Sequence, residues 1–288
     1  SIHQLFSRLS LNFDTQKKIF SYAKKKKIFI FSTPFDIESA NFLDKLGVQA
    51  YKIASADLVN LPLIEHVAKK NKPIIISTGM SKISEIDDAI ETVRSTGNRN
   101  LAVLHCNSSY PSTHSEVNLK FMNNLKSLYN IPVGFSDHTT DLLASKSAIC
   151  LGADIIERHF TLSKRMEGPD HILSSDQKEI ADLVKFKKFY KKFDIWFKKR
   201  KKREKEQIKL ILGDGVKKIQ PNEYLTINSQ KKSLYAKKDI KKGEKFTKSN
   251  VTIKGPAGGL LPKYIEVIIN KKTKYRIQKD EPITWDNF

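Results

Sequence analysis

Cysteine is nearly absent from this chain: Cys106 and Cys150 are the only two among 288 residues. Two cysteines cannot build a disulfide framework, so a small secreted scaffold is excluded and a reducing cytoplasm is expected. Long apolar runs are missing too. No stretch approaches the roughly 20 residues that span a bilayer, and no signal-peptide pattern opens the chain. Acidic residues are the minority charge, 31 Asp+Glu against 52 Lys+Arg, for a formal net charge of +21. The lysines are expected mainly to cover solvated helix faces, and next to attract an anionic substrate. No nucleic-acid recognition motif accompanies them, so no nucleic-acid partner is expected. Position 1 is Ser rather than Met, inside a polar, helix-like stretch, so the start looks truncated.

What is present is a regular alternation. A hydrophobic fraction of 39% can supply a sizeable core, and the length suits one large domain plus a small one. Residues 14–26 read as a helix with Phe20, Tyr22 and Ala23 on one face. Ile28–Phe31 is an apolar run of strand length. Helix, strand and helix then follow at 37–46, 50–53 and 60–70, a strand at 73–76, a helix at 82–95, a strand at 101–104 and a helix at 117–129. Two more strands, at 133–135 and 155–156, enclose a helix-like segment, and a last amphipathic helix is expected over 176–193. The six strands all end in Ser, Thr, Asn, Asp, Glu or His. Even strand–helix alternation indicates a parallel sheet. Polar ends on every strand fit a barrel, whose strand mouths open onto one shared site. Eight strands complete such a barrel, so the expected fold is an α/β (β/α)8 TIM barrel lacking its first two βα units in this chain.

The stretch 131–171 carries the candidate chemistry. Val133-Gly134-Phe135 runs into Ser136-Asp137-His138, and Ile155-Ile156 runs into Glu157-Arg158-His159. Histidines just past two neighbouring parallel strands, about 5 Å apart, could share one divalent metal and leave positions open for water or substrate. The bland alternative is that each is structural or caps a helix. Asp137 and Glu157 are candidates for orienting ligands or for acid–base work. Thr33, Ser55, Ser77, Thr78 and Ser136 form a hydroxyl-rich set with Lys52 nearby, a candidate phosphate cradle. Singly, each hydroxyl is more simply a turn or cap residue. Asp170, in the Gly168-Pro169-Asp170-His171 turn, could reach back to the metal.

Beyond this, residues 196–228 read as a charged linker or exposed helix end without a core pattern, separating the partial barrel domain (1–195) from a β-rich domain (229–288) with frequent turn signals.

Taken together, STPFD (32–36), AYKIAS (50–55), STGM (77–80), HC…YP (105–111), GFSDHT (134–139), ERHFTL (157–162) and GPDH (168–171) resemble the N-acetylneuraminate synthase family, which includes sialic, legionaminic and pseudaminic acid synthases. SLYAKKDIKKGE (233–244) resembles that family's antifreeze-like, or SAF, domain. The resemblance implies a TIM barrel plus SAF domain in a domain-swapped homodimer. It implies a transferase that condenses phosphoenolpyruvate with an N-acetylated hexose such as N-acetylmannosamine, releasing phosphate by C–O cleavage. Mn²⁺ or Mg²⁺ would be held by His138 and His159 and would polarise the sugar aldehyde. Phosphoenolpyruvate contacts match Thr33, Lys52, Ser55, Ser77 and Ser136. Tyr110 matches a sugar contact, Asp57 a carboxylate near the sugar, and Asp170 a carboxylate near the metal. A sugar-contacting Asn falls at Ser108, with Asn107 one position earlier. Three departures follow. The catalytic Glu and phosphate-binding Lys of the family's first two strands have no counterpart here. The Asn register is shifted. Gly255 stands where the SAF domain usually carries a sugar-reaching Arg, and neighbouring Lys254 would replace it without the planar fork. An inactive relative or sugar/phosphate-binding module is the alternative. A phosphoenolpyruvate–aldose synthase of the Kdo-8-phosphate or DAHP type is disfavoured by the C-terminal region.

Overall fold

A computed structural model describes residues 7–189 and 192–288. Strand and helix alternate through its larger part: α1 (Phe13–Lys25), α2 (Ile37–Lys45), β1 (Tyr51–Ile53), α3 (Leu61–Ala68), β2 (Ile74–Ser77), α4 (Ile83–Ser95), β3 (Leu101–Cys106), α5 (Lys120–Tyr129), β4 (Val133–Asp137), α6 (Leu143–Cys150) and β5 (Ile156–Arg158). The five strands pair in sequence order and all are parallel. Helix ends follow local chemistry. Asn12 and Asp36 side chains accept from the Thr15 and Ser39 amides to start α1 and α2. Asn130, in the left-handed region at φ 50°, closes α5.

Register divides the sheet into two faces. Tyr51, Ile53, Ile74, Ile76, Val103, Val133 and Phe135 are buried against helix residues such as Leu63, Ile90, Leu125 and Ala148. Burial under helices is why these strands read as continuous apolar runs. The alternate positions carry Lys52, Ser77, Cys106, Ser136 and Glu157, and Cys106, Ser136 and Glu157 lie in one register row. Laid flat, β1 and β5 would stand about 19 Å apart, four inter-strand spacings. Yet Lys52 Nζ on β1 is 3.3 Å from Glu157 Oε2 on β5. The sheet is therefore curled into a half-barrel with the polar side chains on its concave face. Gly134 permits that curl locally, because a Cβ there would collide with the Ile155 carbonyl oxygen and the Leu104 side chain.

The expected strand at 28–31 does not form. Only Ser32 bridges to Tyr51, with the Lys52 amide donating to the Ser32 carbonyl at 3.3 Å. Ile28 and Phe29 stay 63% and 59% exposed. β1 lies on one side of this segment and no described strand lies on the other, so an apolar run alone does not make a ladder. Among the described residues the sheet consequently has five strands rather than six.

The helix expected over 176–193 divides into α7 (Gln177–Phe189) and α8 (Phe193–Lys198), with 190–191 outside the described residues. The segment read as a charged linker also differs. It contains α9 (Lys202–Leu212), and Trp196, Ile208 and Ile211 are fully buried. Two isoleucines one turn apart suffice to dock a helix whose other faces are lysine-rich. A turn at Pro221–Glu223 and α10 (Tyr224–Gln230) then lead into the small β-rich region. There β6 (Ser233–Ala236) and β7 (Val251–Lys254) pair antiparallel over Leu234, Ile240, Phe246, Ile268 and Ile283.

Candidate active site

The ends of β4 and β5 bring the two histidines together. Their rings lie 5.4 Å apart between centroids, and the Tyr110 ring covers both, at 4.2 Å from His138 and 5.8 Å from His159. Below them, Asp137 and Arg158 form a buried ion pair at 2.5 Å. Asp137 also accepts from the Thr139 amide (2.9 Å), the Thr139 hydroxyl (2.8 Å) and the Ser145 hydroxyl. The Arg158 fork donates to Ser175 Oγ and to the carbonyls of Thr139, Asp141 and Leu173. Every arm of the guanidinium is satisfied, which a buried charge requires. This network ties both strand ends to the turn before α6 and to the loop before α7.

His138 is buried, and its Nδ1 lies 2.7 Å from the Asn107 carbonyl oxygen. Since a carbonyl only accepts, Nδ1 carries a proton, so in the neutral ring the lone pair is on Nε2. Burial opposes charge on His138, but the Cys106 sulfur, 3.9 Å away, and the Asn107 carbonyl outweigh it and raise its pKa. His159 shifts the other way: burial and the neighbouring His138 lower its pKa. Asp170 lies 3.5 Å from His159 Nδ1.

The hydroxyl set occupies the other side of the concave face. Ser136 Oγ donates to Glu157 Oε1 at 2.7 Å, and Lys52 reaches the other oxygen of that carboxylate. Ser55 Oγ accepts from the Gly79 amide at 3.0 Å. Ser77 Oγ is buried without a partner. Thr78 bonds the Leu104 carbonyl at 3.0 Å. Thr33 sits half-buried one residue past the Ser32 bridge. Asn107 accepts from the Ser109 amide and the Ser112 hydroxyl of its own loop, and its side-chain amide meets that of Asn222. Ser108 is fully buried beside Cys106.

Asp57 is an expected site residue engaged by the turn after β1 and by the β-rich region. It is fully buried, bonded by Asn60 Nδ2 at 3.0 Å and 3.7 Å from Lys232 Nζ, so it faces the start of the β-rich region. Burial raises its carboxyl pKa. Lys254 is likewise engaged, paired with Asp280 and lying 5.0 Å from the Tyr235 ring centroid. A Cβ at Gly255 would sit 2.9 Å from the Gln230 carbonyl oxygen, so a larger residue there would push against α10.

Sequence reasoning missed the residues that arrive from 217–231. Glu223 is 1% exposed and accepts from the Met80, Ser108 and Gln220 amides at 2.7, 2.9 and 3.0 Å. Lys217 and Lys231 donate to the Thr78 and Met80 carbonyls, both at 2.9 Å. Pro221 followed by Glu223 marks a helix start in the sequence, but nothing local marks the long-range contacts.

A sequence profile of the NeuB family matches residues 1–193, and one of the SAF domain matches 231–288. The chain belongs to the NeuB family. Among its relatives, the N,N'-diacetyllegionaminic acid synthase of Campylobacter jejuni is 40% identical over 97% of this chain and 79% of its own length. The pseudaminic acid synthase of Helicobacter pylori is 32% identical over 100% and 79%. The spore coat polysaccharide biosynthesis protein of Bacillus subtilis superposes with a TM-score of 0.84 at 27% identity, covering 100% of this chain and 80% of that one. The NeuB-family relatives include nonulosonic acid synthases.

The donor set of this NeuB-family site suits a divalent cation in part. His138 donates its Nδ1 proton to a carbonyl, the arrangement that orients a metal-binding imidazole. Among the described residues no three His, Cys, Asp or Glu side chains are gathered into a metal-binding group. Two imidazoles are thus the nitrogen donors this site would offer a divalent cation. No described helix is long and apolar enough to cross a membrane.

Proposed function

We propose that this concave face is the site of a nonulosonic acid synthase that joins phosphoenolpyruvate to an N-acetylated hexose such as N-acetylmannosamine. The observation that carries the reading is the convergence of Lys52, Ser136 and Glu157 with the histidine pair on one concave surface, with Ser77 Oγ left unpaired. In this reading the five-strand arc, with the Ser32 bridge marking the position of a sixth strand, is part of a (β/α)8 barrel. Lys52, Ser55, Ser77, Ser136 and Thr33 hold the carboxylate and phosphate of phosphoenolpyruvate. Tyr110 walls the sugar subsite, and Asp170 orients His159. His138 and His159 would hold Mn²⁺ or Mg²⁺, which when bound polarises the sugar aldehyde. The C2=C3 π electrons of phosphoenolpyruvate form the new C–C bond to the aldehyde carbon, whose oxygen takes a proton; water adds to the electron-poor C2 and loses its protons as C2 becomes a ketone, and phosphate leaves with the C2–O bond electrons. Asp57 takes no part. The proposed assembly is a homodimer in which each SAF region covers the other subunit's sugar subsite. Gly255, packed against Gln230, brings no cation of its own there.

The test is equilibrium binding to the 288-residue chain. Phosphoenolpyruvate and Mn²⁺ should both bind, and His138→Ala and His159→Ala should each weaken Mn²⁺ binding at least tenfold. Unchanged Mn²⁺ affinity in both variants would refute the metal assignment. Absence of phosphoenolpyruvate binding would refute the synthase reading.

A further inference from the structure

The hydroxyl side of the site is held by a strap from outside the sheet. We infer that Glu223 is a positioning residue for the phosphoenolpyruvate subsite, setting the distance between the loops that follow β2 and β3. One oxygen, Glu223 Oε1, accepts from both Met80 N (2.7 Å) and Ser108 N (2.9 Å), so the two loops share a single acceptor. Its second oxygen accepts from Gln220 N at 3.0 Å, which fixes the carboxylate to its own turn. The carbonyls of the same loops are taken by the same strap. Thr226 Oγ1 donates to the Ser108 carbonyl at 2.7 Å, Lys231 Nζ to the Met80 carbonyl and Lys217 Nζ to the Thr78 carbonyl, both at 2.9 Å. Lys231 is anchored in turn by Glu85, at 2.9 Å, on the first turn of α4.

The clamp has little slack. Gly79 lies between the gripped residues, and a Cβ on it would collide with Ser108 Oγ. Its amide donates to Ser55 Oγ, so the loop after β2 sets where that hydroxyl points. Ser77 and Thr78 precede it directly. A shift of the β2 loop relative to the β3 loop would therefore move the Ser55 and Ser77 hydroxyls together. A buried carboxylate facing three backbone N–H groups holds its geometry because each donor would otherwise be left unsatisfied.

This inference rests on the phosphoenolpyruvate reading of the cradle, so the experiment has one arm that does not. In that arm, amide hydrogen exchange is compared between wild type, Glu223→Ala and Glu223→Gln. Glu223→Ala should raise exchange at least tenfold at Met80 and Ser108 while β4, β5 and α7 keep their protection. Glu223→Gln retains Oε1 for both amides and should stay within threefold of wild type. In the second arm, the dissociation constant for phosphoenolpyruvate should rise tenfold or more in Glu223→Ala and be restored to within threefold in Glu223→Gln. The inference is overturned by unchanged exchange at both amides, by loss of protection spread evenly through the sheet, by a Gln variant as weak as the Ala variant, or by unchanged phosphoenolpyruvate affinity despite local opening. Wild type that shows the protected amides but binds no phosphoenolpyruvate overturns the assignment to that ligand and leaves the exchange arm to decide the clamp.

Discussion

At the ends of β4 and β5 the brace comes from residues 137–175, within the same βαβ unit and the loop that follows it. At the ends of β2 and β3 it comes from Glu223, 143 and 115 positions from the amides it binds. The first brace is a buried ion pair with all its donors and acceptors engaged; the second is a single carboxylate on a strap. The contrast suggests a division of work. The histidine side is braced by its own βαβ unit and by the Asn107 carbonyl of the β3 loop, whereas the hydroxyl side depends on how the chain returns from α9 across the strand ends.

The largest effect should come from breaking the first brace. Arg158→Met leaves Asp137 buried and unpaired, and should cost about 3–5 kcal/mol in urea unfolding. A cost below that of the strap variant would invert the comparison. Glu223→Ala should cost about 1–3 kcal/mol, since the freed amides lose their buried acceptor but the sheet beneath is untouched. Lys52→Met should change stability by no more than about 1 kcal/mol, because its partner Glu157 is partly exposed. The same variant should weaken phosphoenolpyruvate binding at least tenfold, and calorimetry would show a normal affinity if the cradle is misassigned.

The smallest effect concerns the rim of the histidine side. His114 Nε2 lies 3.1 Å from Asp141 Oδ2, and that hydrogen bond raises the His114 pKa. Asp141 is held below its usual carboxylate range; burial opposes this, but His114 and the Leu143 amide outweigh it. A raised histidine pKa contributes stability that is fully present below its unfolded value, near 6.5, and is lost as pH rises through the folded value. Asp141 stays ionised throughout that window. Half the Asp141 side chain is exposed, so the contribution should be below about 1 kcal/mol. The stability gap between wild type and His114→Gln should shrink from pH 6 to pH 8; a constant gap would assign His114 a packing role only.

Much of the histidine side was legible because its parts are contiguous. Ser136-Asp137-His138 and Glu157-Arg158-His159 end neighbouring strands, and parallel register places them side by side. The strand at 28–31 misled because apolar composition signals burial, whereas a ladder also needs a partner on hand. The segment 196–228 misled because its lysines hide the spacing of Ile208 and Ile211. Asp57 sits in the same kind of strand-end position as the others, yet Lys232 and Asn60 turn it elsewhere.

The sequence by itself determined the parallel strand–helix alternation, the outer apolar face and the residue types at each strand end, because periodicity and turn chemistry are local. Only the tertiary structure decided that Lys52 meets Glu157 across the curl, that Asp57 faces the β-rich region, and that Glu223 grips the β2 and β3 loops. Those outcomes depend on sheet curvature and on where a distant segment returns, and neither leaves a mark in local residue order.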